Sequence, residues 1–254
     1  HIAHSKNTIS KTHFLQKKNR IDHFQAESLM NDAFFCKYIQ NHLNVINNVK
    51  YNWINMSKDV ERKTFMVGQF DKYKIQHERF EAVTPSSIEK SYKMRSHNSR
   101  VKKTTINEIC CLASHLSVMY RELSHSNDYI AILEDDIIFN KLFLNVRNII
   151  INAPTDWEIL QLHHVRLDDS YDYTKTLWLP WMRRHFCTTF YIIKRHCAEA
   201  LVKKYMRFDD AKNVTYDFSS CNDTVQADYY IYKDFKTYTF TRQISQSNLD
   251  FASN

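Results

Sequence analysis

Segment 129–139 constrains the fold more than any other part of this chain. An apolar run that begins at Tyr129 is followed by three consecutive acidic residues, and a second apolar run then continues to Phe139. The flanking residues are aliphatic, β-branched or aromatic, which is typical of a strand buried on both faces of a sheet. Buried acids without partners are costly. We therefore expect Glu134, Asp135 and Asp136 at the carboxyl end of the strand, where open α/β sheets bind ligands.

The order of these three acids predicts which of them act together. Side chains alternate along an extended chain, so Glu134 and Asp136 should point one way and Asp135 the other. Two oxygen ligands on one side suit a hard divalent cation such as Mg²⁺ or Mn²⁺. The alternative is a plain acidic turn after a core strand, and these residues alone do not decide between the two.

The composition limits how this chain can bind a nucleotide. Among 254 residues there is one glycine, Gly68, which excludes a P-loop and a G-x-G-x-x-G motif. Phosphates must then be held by a metal ion, basic side chains or helix N-termini. The net charge of +7 favours an anionic ligand, either a nucleic acid or a nucleotide diphosphate. Because the basic residues are spread along the chain, the pattern argues against nucleic acid.

Cysteine spacing and hydropathy bear on metal binding and compartment. None of the six cysteines forms C-x-x-C, which argues against a zinc site, and we expect reduced thiols. No apolar run approaches the ~20 residues of a membrane span. No signal peptide is visible, so we expect a cytoplasmic protein and leave a lumenal location open. A homodimer also stays open.

Hydrophobic periodicity predicts one α/β domain over residues 49–254, preceded by a helical extension over residues 1–48. The domain opens with a strand at 49–56, a helix capped by Ser57 or Asp59, and a strand at 74–83. This β-α-β order predicts a parallel sheet. Further strands are expected at 156–162, 188–193 and 237–240. Residues 84–103 are basic and loop-like, and Arg95 and Arg100 there could belong to a mobile lid that meets phosphates.

Two titratable residues on predicted helices are candidate site residues. Thr105 and Glu108 form a capping box that starts a helix. The predicted core stripe of this helix consists of Ile106, Ile109, Ala113, Leu116, Tyr120 and Leu123. His115 lies roughly 130° from that stripe, so we expect it to be exposed, with a site-facing position as the alternative. Asp228 falls on an apolar helix face, where it is either a salt-bridged structural residue or a functional one.

The order of these motifs resembles glycosyltransferase family 25, which includes lipopolysaccharide sugar transferases and collagen galactosyltransferases. Four matches occur in the family's order. They are Ile54-Asn55 followed by Arg62, the strand end Ala82-Val83, the helix Glu108-Ile109-Cys110-Cys111-Leu112-Ala113-Ser114-His115-Leu116, and the strand Ile132-Leu133-Glu134-Asp135-Asp136.

The resemblance implies a GT-A-type fold, a single Rossmann-like, mostly parallel sheet flanked by helices. It implies that the acidic triplet stands for the D-x-D element of that fold. Glu134 and Asp136 would then hold Mn²⁺ or Mg²⁺ and stabilise the UDP leaving group as negative charge develops. Donor-binding residues would be Asn55, Arg62, Ser114, Asp135, Arg95 and Arg100.

The resemblance also implies a reaction. The family is understood to invert at the anomeric carbon, so a base must take the proton of the acceptor hydroxyl. Asp228 is the candidate base, with Asp168, Asp169 and His115 behind it, and Asp223 competes for the late acidic position. The expected activity is metal-dependent transfer of galactose or glucose from a UDP-sugar to a hydroxyl on a glycan or protein.

Two other functions stay open at this point. A metal-dependent phosphoesterase or nuclease also uses clustered carboxylates, and Asp168 with His163 or His164 could supply further ligands. A catalytically degenerate family member could act as a binding protein.

Overall fold

The β-α-β opening is present at the start of the domain. The computed structural model describes residues 50–95, 100–140, 143–165, 176–211, 213–242 and 244–247, and the extension predicted for residues 1–48 lies outside them. The strands are β1 Lys50–Asn55, β2 His77–Glu81, β3 Tyr92–Met94, β4 Tyr129–Glu134, β5 Ile137–Phe139, β6 Ile159–Gln161, β7 Trp178–Pro180, β8 Phe190–Lys194, β9 Met206–Phe208, β10 Val214–Phe218, β11 Thr237–Phe240 and β12 Ser245–Ser247. The α-helices are α1 Val60–Tyr73, α2 Pro85–Ile88, α3 Ile106–Glu122, α4 Val146–Ile151, α5 Arg195–Tyr205 and α6 Ala227–Tyr232.

A seven-stranded sheet in the order β2-β1-β4-β8-β6-β11-β7 organises the domain. Strands β2, β1, β4, β6 and β11 run in one direction, whereas β8 and β7 run in the other. The sheet is therefore mostly parallel, and helices flank it, which confirms the predicted α/β class. The carboxyl ends of five strands meet at one edge, and the amino end of the reversed strand β8 lies at that edge with them.

The two faces of the sheet bury separate hydrophobic clusters. Ile130 and Ile132 of β4 pack in the cluster that contains α3 and α5. Ala131 and Leu133 pack in the other cluster, which contains α1 and α4. This alternation is the reason that Glu134, the next residue, continues towards α3.

Helix α3 starts as predicted but is buried more widely than predicted. Thr105 Oγ1 accepts from the Glu108 N–H at 3.2 Å, and the Thr105 N–H donates to Glu108 Oε2 at 2.7 Å, so the capping box is confirmed. Tyr120, expected in the core stripe, is 44% exposed, while His115 is 1% exposed. The expectation of an exposed His115 is wrong because the sheet and helices α2, α5 and α6 surround α3.

Residues 84–103 do not form a plain loop. The helix α2 begins at a capping box on Thr84, and β3 pairs with β10 in a second sheet of order β3-β10-β9. The loop prediction is therefore wrong for these parts of the segment, and residues 96–99 lie outside the described part.

No helix among the described residues is long and apolar enough to span a membrane.

Candidate functional site

A polar network joins the carboxyl ends of β1, β2 and β4. The Asn55 amide donates to Asp135 Oδ2 at 2.6 Å, and Arg62 from α1 donates to Asp135 Oδ1 at 3.0 Å. Arg79 Nε donates to Asn55 Oδ1 at 2.8 Å. Asp135 is only 7% exposed. Each of its carboxylate oxygens accepts a hydrogen bond, one from the Asn55 amide and one from the charged Arg62 guanidinium. The structure thus brings Asn55, Arg62 and Asp135 together in contact with one another, and their contacts with a donor stay predictions.

Glu134 lies on the other face of β4, in a pocket of hydrogen-bonding groups. His115 Nε2 lies 3.1 Å from Glu134 Oε1, and the Thr188 hydroxyl donates to the same oxygen at 2.7 Å. The Thr189 hydroxyl donates to Glu134 Oε2 at 3.2 Å. Burial raises the pKa of Glu134, but the hydrogen bonds from His115, Thr188 and Thr189 outweigh burial and hold the pKa below its usual value. Glu134 is therefore a carboxylate near neutral pH.

Asp136 differs from its two neighbours because part of its carboxylate has no partner. Within the described part of the chain, the buried Asp136 Oδ1 accepts no hydrogen bond. Burial raises the pKa of Asp136 to about 6, and the charges of Glu134 and Asp135 add to this effect, whereas Arg62 opposes it. A buried oxygen that accumulates negative charge without a donor is the arrangement expected where a cation binds.

The donor set fits a hard divalent cation. The Asp136 oxygen is available, and Glu134 accepts three hydrogen bonds of the roughly four that a carboxylate can accept. Carboxylate oxygens are the ligands that Mg²⁺ and Mn²⁺ prefer. Asp136 would therefore be the principal ligand and Glu134 a second, oriented one.

His115 supports Glu134 from helix α3. Its Nδ1 lies 3.0 Å from the Tyr191 hydroxyl, so both ring nitrogens have partners in the protein. Tyr191 is completely buried on β8, which fixes the imidazole ring. The structure therefore places the predicted catalytic His115 beneath the acidic edge, as a residue that orients Glu134.

Asp228 and Asp223, which sequence reasoning could not separate, have different surroundings. The Cys187 N–H donates to Asp228 Oδ2 at 3.2 Å. Burial raises the pKa of Asp228, and the charge of Glu134 adds to this, against the hydrogen bond from Cys187. Asp223 instead accepts from Arg183 at 2.5 Å, which lowers its pKa. Asp228 therefore lies within the electrostatic reach of Glu134, whereas Asp223 is an ion-paired residue.

The turn before β8 supplies residues that the sequence analysis missed. Thr188 and Thr189 bind Glu134, and Cys187 holds Asp228 with its backbone. Cys187 has a φ of 108°, in the left-handed region that favours glycine, and such strain clusters at functional sites. Only the antiparallel direction of β8 brings this turn to the site, and nothing in the local sequence pattern signals that direction.

Three predicted donor-binding residues lie apart from these carboxylates. Ser114 Oγ accepts from the Val83 N–H at 2.8 Å and donates to the Cys110 carbonyl at 2.7 Å, which ties the end of β2 to α3. Arg95 is exposed. Arg100 is 73% exposed and lies 4.0 Å from Asp223. Their contacts with a donor stay predictions.

The residues proposed for a phosphoesterase are only partly described. Asp168 and Asp169 lie outside the described residues. His163 Nδ1 lies 2.8 Å from Ser245 Oγ, and burial lowers the pKa of His163 although the charge of Glu134 opposes it. Burial also lowers the pKa of His164 to about 4, so both imidazoles are neutral near pH 7.

Comparisons with known proteins agree with the motif order. The family model for glycosyltransferase family 25, described as LPS biosynthesis proteins, matches residues 49–220. A Haemophilus influenzae protein named as a glycosyltransferase is 32% identical over 95 residues, which are 36% of this chain and 34% of that protein. The chain thus matches about a third of the length of this curated relative.

One solved structure is similar at low level. It is a glycosyltransferase involved in the glycosylation of the major capsid of PBCV-1, with a TM-score of 0.36 and 8% sequence identity, covering 61% of this chain and 65% of that one. A similarity of this size adds nothing to the assignment, which depends on the family match. Because that match covers most of the chain, the protein belongs to glycosyltransferase family 25.

Proposed function

We propose that this chain is a metal-dependent, inverting glycosyltransferase of the GT-A type that moves a hexose from a UDP-sugar to a hydroxyl of a glycan or protein. The observation that carries the proposal is Asp136, whose buried oxygen lacks a partner in the described structure and faces the charge of Glu134. Family membership supports glycosyl transfer, and the family resemblance supports galactose or glucose as the sugar.

Asp136 and Glu134 would hold Mn²⁺ or Mg²⁺. The bound cation would neutralise the negative charge of the donor diphosphate and of the UDP leaving group. Neighbouring residues hold two of the three acidic side chains in place. His115, Thr188 and Thr189 keep Glu134 ionised and fixed, while Asn55 and Arg62 hold Asp135.

Asp228 would be the general base. Inversion requires a base that takes the proton of the acceptor hydroxyl while this oxygen attacks the anomeric carbon opposite the leaving group. A carboxylate with a raised pKa is a stronger base than an exposed one, and burial raises the pKa of Asp228. The Cys187 N–H donates to Asp228 Oδ2 and so helps to orient the carboxylate.

The test is a melting-temperature measurement with UDP and Mn²⁺, followed by a screen of UDP-sugars. Saturation at 100 times Kd stabilises a protein by about 2.7 kcal/mol, which corresponds to a rise of roughly 5–11 °C for a domain of this size. The rise should be lost in Asp136→Asn and kept in Asp223→Asn, since Asp223 pairs with Arg183 outside the carboxylate pocket. UDP-galactose or UDP-glucose should be hydrolysed slowly in the absence of acceptor.

Other outcomes of the same assays would favour the rival functions. Hydrolysis of a phosphodiester without any sugar donor would identify a phosphoesterase. A chain whose melting temperature responds to no nucleotide and no metal would be a binding protein.

A further inference from the structure

A second set of metal-binding atoms lies on the α3 side of Glu134. The Cys111 thiol, a His115 ring nitrogen and a Glu134 carboxylate oxygen all lie within 4.8 Å of one another. Cys111 and His115 are four residues apart on α3 and therefore share one face of that helix. Glu134 comes from the end of β4, so two rigid elements supply the three atoms.

The chemistry of this set differs from that of Asp136. Sulfur, nitrogen and oxygen together are typical ligands of Zn²⁺, whereas Mg²⁺ and Mn²⁺ prefer oxygen alone. We propose that Cys111, His115 and Glu134 form a Zn²⁺ site with three protein ligands and one open position. Two of the ligands have the spacing Cys-x-x-x-His on one helix face, so this zinc site contains no C-x-x-C motif.

The present geometry needs little change to hold the ion. Zinc bond lengths of about 2.0–2.3 Å place tetrahedral ligand atoms roughly 3.3–3.8 Å apart. His115 Nε2 and Glu134 Oε1 are already 3.1 Å apart. A shift of the Cys111 thiol by about an ångström would complete the triangle, and Cys111 is only partly buried.

The surroundings supply the partners that metal ligands need. The Tyr191 hydroxyl lies 3.0 Å from His115 Nδ1 and can accept a hydrogen bond from the Nδ1–H, which leaves Nε2 as the ligand atom. Thr188 and Thr189 orient the Glu134 carboxylate. Burial, together with the negative charges of Glu134 and Asp228, raises the pKa of the Cys111 thiol, so Zn²⁺ would displace the thiol proton when it binds.

Zinc at this site would engage Glu134, and this consequence rests on the proposed function. Zn²⁺ should then inhibit sugar transfer in competition with Mn²⁺, since both ions would use the same carboxylate. Zinc binding itself is measured without nucleotide or sugar, so this measurement tests the zinc site independently of the transferase activity.

The experiment is a titration of the whole purified chain with Co²⁺ as a spectroscopic probe, followed by displacement with Zn²⁺. A thiolate ligand gives a near-ultraviolet charge-transfer band, which should appear at one equivalent of Co²⁺ and fade on Zn²⁺ addition. Cys111→Ser should remove the band and weaken Zn²⁺ binding by more than the roughly 10–100-fold that loss of a supporting residue causes.

Two control variants and one measurement on the unaltered chain complete the design. Cys221→Ser changes a fully buried thiol outside the set and should keep the band. His196→Ala disrupts the other group of potential ligands, Glu158, His196 and Cys197, and should also keep it. Zn²⁺ should slow alkylation of Cys111 in the unaltered chain, which tests the site even if Cys111→Ser folds poorly. A band that survives in Cys111→Ser, a band lost in His196→Ala, or an alkylation rate unaffected by Zn²⁺ would overturn the proposal.

Discussion

Replacing Asp136 by asparagine should stabilise the folded protein near neutral pH while removing its proposed metal ligand. Burial and the charges of Glu134 and Asp135 raise the pKa of Asp136 to about 6 in the folded chain, against an ordinary value of 3.8. At ~1.36 kcal/mol per pH unit, this difference corresponds to about 3 kcal/mol. Its neutral form stabilises the fold fully below pH 3.8, and this contribution is lost as the pH rises through about 6. Asparagine is neutral at every pH, so the variant keeps this stabilisation as the pH rises.

The assay is thermal unfolding of Asp136→Asn and the unaltered chain at a series of pH values, without divalent cations. At pH 7.5 the variant should melt about 6–12 °C higher, from roughly 2–4 °C per kcal/mol for a domain of this size. Near pH 3.5 the two proteins should melt together. Mn²⁺ with UDP should then raise the melting temperature of the unaltered chain only.

Asp223→Asn is the matched control because the same substitution should act with the opposite sign. Arg183 holds the pKa of Asp223 below its usual value, so its ionised form stabilises the fold above that value and this is lost on acidification. The control should therefore melt lower than the unaltered chain at pH 7.5. The reasoning fails if Asp136→Asn is less stable than the unaltered chain at pH 7.5, or if its advantage is the same at every pH.

Three further substitutions test other parts of the site. Asn55→Ala leaves the buried Asp135 Oδ2 without its amide donor and should cost roughly 1–3 kcal/mol in urea unfolding, and a loss below 0.5 kcal/mol would show that the network contributes little. Asp228→Asn should lower the transfer rate by roughly 10²–10⁴-fold with unchanged UDP–Mn²⁺ binding, and unchanged turnover would exclude it as the base. Cys187→Gly should relieve a strained φ of 108° and stabilise the fold by about 1 kcal/mol, and destabilisation would show that the thiol contributes more than the strain costs.

The sequence predicted the elements that carry local signals. The apolar run before the triplet became β4, the Thr105 capping box began α3, and residues 237–240 became β11. Strand alternation placed Asp135 towards α1, where it meets Arg62, and Glu134 towards α3. These features depend on side-chain periodicity and caps, which are visible within a few residues of one another.

The partners of the acids could not be predicted in the same way. His115 was expected to be exposed because it lies roughly 130° around its helix from the predicted apolar stripe, and the sheet and neighbouring helices bury it. In the sequence, Thr188 and Thr189 look like the first residues of the predicted strand 188–193, and Cys187 looks like the residue before it. Their roles follow from the reversed direction of β8, which is a property of sheet topology.

That reversed strand also makes the site depend on pairing register. Leu133 pairs with Phe190, the Glu134 N–H donates to the Thr189 carbonyl at 2.9 Å, and the Thr188 hydroxyl reaches Glu134 across 54 residues of chain. A slip of one residue would turn every β8 side chain to the opposite face and carry both threonines away from the carboxylate. During synthesis on the ribosome, β4 is complete before residue 188 is added. At that stage Glu134 lacks the hydroxyl donors Thr188 and Thr189. The pocket is therefore completed by one of the later long-range pairings of the domain, and a misregistered β8 would give a folded sheet with an unsupported Glu134.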